Sequence, residues 1–348
     1  MSEFSFLVTP YPGFEDEILC LRNRNRSVPK NRAYFDWRYL GQETLTPPEI
    51  LWVKAPSSAF VGMASLIYRP YWLDNKQYEF MVLGDISLDR EYRGTGLADE
   101  FFHYMKRHIK NKVSPCALVI PNMAAQKVLE RCGWHAKERL VHHVLLLNPE
   151  KKIHSYVKFE LLSKILSKWY LVLLSKRLRA IQTKGLSITI ITKFGEEFDI
   201  FWNALDKSNI CLRDRSQRSL QWRYGNRPGG ESFFIAACHS AGELVAYLVY
   251  SINEKSGASI IYELMAINKS YLNGLVKLFV NYIQENFQLD SMRIVLNEKH
   301  PYAHQLRKIG FSPRKGGQSI QVLAPDHPEV PLNSFRWLLT AGDKDSKR

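Results

Sequence analysis

The sequence has little of what would make it a stapled, metal-bound or membrane-spanning protein. Cysteine is scarce, five in 348 residues. Cys20, Cys116, Cys132, Cys211 and Cys238 are scattered, odd in number and never spaced C-x-x-C, so neither a disulfide framework nor a metal site is expected and a reduced, cytoplasmic setting fits best. No apolar run reaches the roughly 18 residues of a membrane span, and the segment from Met1 to Phe6 lacks the basic and apolar regions of a secretory leader. Charge is neither sparse nor dominant: 24% charged against 45% hydrophobic residues excludes a disordered or fibrous chain and predicts large cores. At 348 residues the chain is long for one core, so two domains are the expectation.

The net charge of +14 is concentrated, with nine basic residues and one acid, Glu160, between Lys151 and Lys184. Residues 153–181 mix those lysines with a high density of Leu, Ile, Val and aromatic side chains, which predicts one or two basic, strongly apolar helices. A packed connector is the first reading and peripheral contact with an anionic membrane the second. Nucleic acid is not an expected partner, because no recognised module or basic–aromatic platform accompanies the charge.

The chain repeats itself. Phe35-Asp36-Trp37-Arg38-Tyr39 returns 185 residues later as Leu220-Gln221-Trp222-Arg223-Tyr224, and Leu129-Glu130-Arg131-Cys132-Gly133-Trp134 is echoed by Leu306-Arg307-Lys308-Ile309-Gly310-Phe311. Two matches in one order at nearly one offset indicate a duplicated unit. This divides the chain into residues 1–149, a basic helical connector over 150–186, and residues 187–348. In the first unit strands are expected at Phe60–Tyr68, Tyr78–Leu88, Ala117–Ile120 and Val141–Leu147. A helix starts near Gly96, carrying Leu97, Phe101, Phe102, Met105 and Ile109 at helical spacing, and a second runs from Ala124 to Cys132. The second unit repeats the order, with strands at Leu244–Ile252, Ser259–Ala266 and Arg293–Leu296 and a helix at Leu272–Phe287. The class is mixed α/β.

Chemistry is concentrated where Asp85-Ile86-Ser87-Leu88 leads into Arg93-Gly94-Thr95-Gly96-Leu97-Ala98. A glycine turn between a strand end and a helix start lets several backbone N–H groups converge, and the helix terminus and Arg93 add positive charge. Such a turn is an anion site suited to a pyrophosphate.

With Asn122-x-x-Ala125, Gly133 and Trp134 following at the proper distance, the sequence resembles the GNAT acyltransferases, whose loop is Q/R-x-x-G-x-G/A. The resemblance covers residues 45–147 well. It implies two GNAT-like mixed-sheet domains in tandem, acetyl-CoA as the acyl-CoA co-substrate, and transfer to a small-molecule amine such as an amino sugar. It also implies that Arg93, Gly94, Thr95, Gly96, Leu97 and Ala98 bind the pyrophosphate, that the backbone at Ser87 and Leu88 holds the thioester and pantetheine, and that Asn122 contacts the pantetheine arm. The closing segment from Trp337 to Asp345 looks similar to bacterial acyltransferases of surface-sugar or secondary-metabolite pathways.

The sequence departs from the family at its acid and base. The family's proton-donating tyrosine falls at Leu129, and the glutamate base of some members falls at Ala117. Asp85 is the first candidate for a base, with an ion-pairing role as its alternative; Asp89, His103, Cys116 and Cys132 are the other titratable groups nearby. The second unit reads Ala266-Ile267-Asn268-Lys269-Ser270-Tyr271-Leu272 where the loop should be, so CoA is not expected there. Two rivals remain: a Fem-type transferase using aminoacyl-tRNA, and a non-catalytic acyl-CoA-binding protein.

Overall fold

The computed structural model of the chain describes residues 4–42, 44–112, 114, 116–229, 232–323 and 335–344. Asp345 lies outside them. The first unit runs β1 (Ser5–Pro10), α1 (Glu15–Arg24), α2 (Arg32–Leu40), β2 (Glu49–Lys54), β3 (Phe60–Leu73), β4 (Lys76–Leu88), α3 (Leu97–Lys110), β5 (Ala117–Val119), α4 (Met123–Arg131) and β6 (His135–Leu146). Two helices follow, α5 (Glu150–Val157) and α6 (Glu160–Arg179). The second unit runs β7 (Leu186–Ile191), α7 (Glu197–Ala204), β8 (Ile210–Arg213), α8 (Gln217–Leu220), β9 (Phe234–Ser240), β10 (Glu243–Asn253), β11 (Ala258–Ala266), α9 (Lys269–Asn286) and β12 (Ser291–Asn297). It ends with α10 (Ala303–Ile309), β13 (Ser312–Pro313), β14 (Gln318–Leu323) and β15 (Arg336–Leu338).

Local chemistry accounts for most of these elements. The apolar stripe of α3 (Leu97, Phe101, Phe102, Met105 and Ile109) is buried on the sheet, each such side chain contributing about 1.5–3 kcal/mol. Asn122 caps α4 by accepting the Ala125 N–H at 2.8 Å. Helix α9 starts at Lys269, a turn earlier than its apolar pattern, because Asn268 caps it through the Tyr271 N–H. Strand β6 starts at His135 rather than Val141: its polar first half is held by register with β14, from His135 opposite Val322 to Leu140 opposite Gln318.

The strands form one sheet in the order β1-β2-β3-β4-β5-β14-β6-β12-β11-β10-β9-β7. Each unit therefore sends a strand into the other. Strand β14, late in the chain, pairs with β5 of the first unit, β6 pairs with β12 of the second, and the two exchanged strands pair with each other at the middle. A pseudo-twofold relation explains this, and the repeated Trp-Arg-Tyr lies on it. Trp37 and Trp222 stack at 5.1 Å and 18°, and each indole N–H donates to the other residue's carbonyl, at 2.7 and 2.8 Å. Buried indoles need such partners, and here each copy of the motif supplies the other's.

Candidate active site

Strands β4 and β5 run parallel but pair only at Met81 with Ala117 and Val82 with Leu118, then diverge. A bulge sharpens the divergence. Between Ser65 and Met63 of β3, β4 advances from Gly84 to Ser87, leaving Asp85 at φ +45°. The fork opens into a cavity of about 520 Å³ lined by residues 82–86 of β4, residues 118–122, Arg22, Arg26 and Lys30 from the α1–α2 region, Arg38, and Gln318, Asp343 and Lys344 from the second unit. The last three could not be expected from sequence spacing, because only strand exchange brings them here.

The glycine turn follows the end of β4, just beyond the strand residues that line the cavity. Gly94 and Gly96 have φ of +84° and +93°, a region that side chains disfavour, and a Cβ on either would meet nothing within 4 Å. The cradle is open to a ligand. Gly96 begins the fourteen-residue α3 without a side-chain cap of its own, and the Leu97 N–H meets only the Thr95 hydroxyl, at 3.5 Å. Arg93 is exposed but tied down: its Nε donates to the Leu88 carbonyl at 2.9 Å and its Nη2 to Asn25 Oδ1 at 2.8 Å. Its charge stays beside the loop while its hydrogen bonds fix the loop to the end of β4. The Thr95 hydroxyl donates to the Tyr92 carbonyl at 2.8 Å, closing the turn. Ser87 Oγ is buried without a hydrogen-bond partner and does not line the cavity.

Asp85 lines the cavity with its carboxylate engaged. Arg38 Nε lies 2.9 Å from Oδ2, the Tyr39 hydroxyl donates to the same oxygen at 2.9 Å, and Arg22 Nε is 3.9 Å from Oδ1. Burial, then the Asp85 charge, pushes the Tyr39 phenol well above its ordinary value and keeps it protonated. The geometry is that of the ion-pairing alternative. Gly84 gives the Arg38 guanidinium the space a side chain would occupy. Leu129 is fully buried in the core with Phe101, Phe102 and Trp134, so its side chain does not line the cavity. Burial raises the thiols of Cys116 and Cys132, Asp89 pairs with Arg24, and His103 is exposed.

The second unit repeats the clasp and closes the fork. Arg223 Nη1 lies 3.0 Å from Glu263 Oε2, the Tyr224 hydroxyl donates to that oxygen at 3.1 Å, and Arg215 Nε is 3.1 Å from it. Arg-Tyr on a helical turn holding a strand carboxylate is thus part of the repeat. Strands β11 and β12 also diverge, after Ile261 and Ile294, but residues 339–343 fill the gap. Leu339 N–H donates to Asn297 Oδ1 at 2.9 Å, Thr340 Oγ1 donates to Glu263 Oε1 at 2.9 Å, and Arg215 Nη2 lies 2.9 Å from both Asp343 oxygens. A Cβ on Gly342 would overlap the Tyr224 hydroxyl.

Comparison with known proteins agrees with this geometry. Residues 14–134 match the model of the acetyltransferase (GNAT) family. No curated protein matches the chain. Among solved structures, the chain is similar to a probable N-acyltransferase from Enterococcus faecalis (TM-score 0.67, 9% identity, covering 92% of this chain and 72% of the other). It is also similar to a GCN5-related N-acetyltransferase from Anabaena variabilis (0.66, 11%, 93% and 73%) and to a tandem GNAT protein of the clavulanic acid biosynthesis pathway (0.55, 12%, 93% and 99%). The last shares the two-unit plan.

Proposed function

We propose that the protein, whose residues 14–134 match the model of the GNAT acetyltransferase family, transfers an acetyl group from acetyl-CoA to the amine of a small acceptor bearing an anionic group. The observation that carries this reading is the open glycine cradle that follows β4, the strand whose divergence from β5 opens a cavity lined by Arg22, Arg26, Lys30 and Lys344. The co-substrate supplies the activated acyl group. The N–H groups of residues 94–98 hold its pyrophosphate, while Arg93 fixes the loop. The β4 backbone at Ser87 and Leu88 and the Asn122 amide hold the pantetheine arm, ending the thioester near the bulge at Asp85.

The acceptor enters between the α1–α2 region and Lys344. Arg26, Lys30 and Lys344 attract an anionic group on it, and the same positive field disfavours the ammonium form of its amine, leaving more of the nucleophilic free base. Positioning of amine and acyl carbon supplies most of the acceleration. Asp85 is a positioning residue in this scheme, keeping Arg38 and Tyr39 at the cavity wall.

A non-catalytic acyl-CoA-binding role is favoured by two observations, the burial of Leu129 and the engaged carboxylate of Asp85. Native mass spectrometry for co-purified CoA, followed by turnover on amino sugars and amines with and without phosphate or carboxylate groups, separates the readings. Turnover of the anionic acceptors is expected. Lys344→Ala should then raise KM for them about tenfold, roughly 1.4 kcal/mol, with kcat little changed. CoA binding without turnover across the panel would leave the binding role.

A further inference from the structure

Helix α6 is apolar on two opposite faces, and the protein covers only one. Ser163, Ser167, Leu174 and Leu178 face inward and are buried, with Tyr170 packed on the core of the second unit. On the other side Leu161, Ile165, Trp169, Val172 and Leu173 are exposed, Leu161 by 74% and Trp169 by 66%. Phe159 and Tyr156 continue this surface at the α5–α6 joint, exposed by 72% and 73%. Single exposed apolar residues are ordinary, but a continuous stripe along a helix of twenty residues marks an interaction surface.

Charge identifies what covers it. Lys164, Lys168 and Arg179 flank the stripe, Lys158 turns the joint and Lys176 projects among the apolar side chains, while Glu160, paired with Lys164 at 2.5 Å, is the one acid between Lys151 and Lys184. A cleft of about 330 Å³ between α5 and α6 is lined by Lys164, Lys168 and one acid, Glu150, with Leu161 and Ile165 beside them. A second copy of this chain would set one basic face against another, which repels. Among the described residues no helix is long and apolar enough to cross a membrane, and the inner face of α6 is committed to the protein, so the helix can only lie along a surface.

We infer that the α5–α6 hairpin docks the protein on an anionic lipid bilayer, the apolar stripe entering the headgroup boundary and the lysines meeting lipid phosphates. The inference rests on this surface alone and is independent of the transfer reaction. The test is co-sedimentation of the full chain with vesicles of phosphatidylcholine containing about 30% phosphatidylglycerol, beside vesicles of phosphatidylcholine alone. Binding to the anionic vesicles is expected, at least tenfold weaker on neutral ones, and weakened as strongly by salt of about 0.5 M. Trp169→Glu and the pair Lys164→Glu, Lys168→Glu should each lower binding at least tenfold while the melting temperature, which reports a folded chain, is retained. Absence of binding to anionic vesicles, equal binding by the variants, or self-association of the lipid-free protein that Trp169→Glu abolishes would overturn it.

Discussion

Two strand forks built on one plan differ first at a single position. In β4 the residue before the clasped carboxylate is Gly84, and the Arg38 guanidinium lies over it; in β11 the residue before Glu263 is Tyr262, packed in the core of the second unit. The first fork stays open, and β4 leads into a glycine turn without a side chain over Gly94 or Gly96. The second is filled by residues 339–343, and its helix starts behind a capping Asn268. The clasp of Arg, Tyr and carboxylate survives in both, so its role common to the two units is to hold the Trp-Arg-Tyr turn against the sheet. What distinguishes a site from a support is the fork left unfilled by residues 339–343 and the two glycines at its helix start.

The largest effect should come from closing the open cradle. Gly96→Val places a branched side chain where the pyrophosphate belongs and should weaken CoA binding at least about 100-fold, roughly 2.7 kcal/mol. Because Gly96 sits at φ +93°, the variant also carries backbone strain of about 1–3 kcal/mol, so titration calorimetry should be paired with a melting curve. Wild type should show one site per chain. Affinity within threefold of wild type in a folded variant would reduce the loop to a turn.

Opening the filled fork should be read in stability. Asp343→Ala leaves Arg215 buried without its bidentate partner, and losing one member of a buried ion pair costs about 3–5 kcal/mol. A melting temperature equal to wild type would show that the 339–343 segment does not support the second unit.

Acid should find the same region. Burial first, then Arg215 and His143, lowers His300 to about 3, against about 6.5 in an unfolded chain. The folded protein therefore keeps His300 neutral while the unfolded chain takes up a proton. Stability is unaffected above about pH 6.5 and falls by up to about 1.4 kcal/mol per pH unit below it, levelling near the folded value. Asp343 acts in the same direction at lower pH: burial alone would raise it, but Arg215 and Arg223 hold it below the ordinary carboxylate range, so its contribution is lost as pH falls through that depressed value. His300→Gln should flatten the denaturation profile between about pH 6.5 and 4. An unchanged profile would mean that His300 is protonated in the folded state.

The legible parts of this comparison are the ones written in short stretches of chain. Arg93 to Ala98 with the stripe Leu97, Phe101, Met105 announces a strand–glycine turn–helix because spacing and glycine act over a few residues. The Trp-Arg-Tyr repeat is equally visible, but its partner relation is not, since Trp37 meets Trp222 across 185 residues of chain. Strand exchange leaves no local trace either: the residues of β6 have the same propensities in whichever sheet they pair. For that reason Gln318, Asp343 and Lys344 on the cavity wall and the filling of the second fork emerge only from the assembled sheet. Asp85 shows a different limit, because a carboxylate beside a cofactor loop reads alike as base or as ion-pair partner until Arg38 and Tyr39 are placed on it.

The smallest expected effect is the most discriminating. Asn268→Gly removes the side-chain cap of α9 and gives its start the residue type found at Gly96, at a cost of a few tenths of a kcal/mol, since glycine is itself tolerated at a cap. If a bare helix N-terminus were sufficient for CoA, this variant should gain a second binding site. The filled fork argues that it will not: a pyrophosphate bound at residues 268–272 would need its pantetheine arm to pass between β11 and β12, where Thr340 bridges to Leu296 and Asp343 pairs with Arg215. Titration calorimetry should therefore still give one site per chain with wild-type affinity. A second site would show that the helix cap, and not the occupied fork, is what separates the two units.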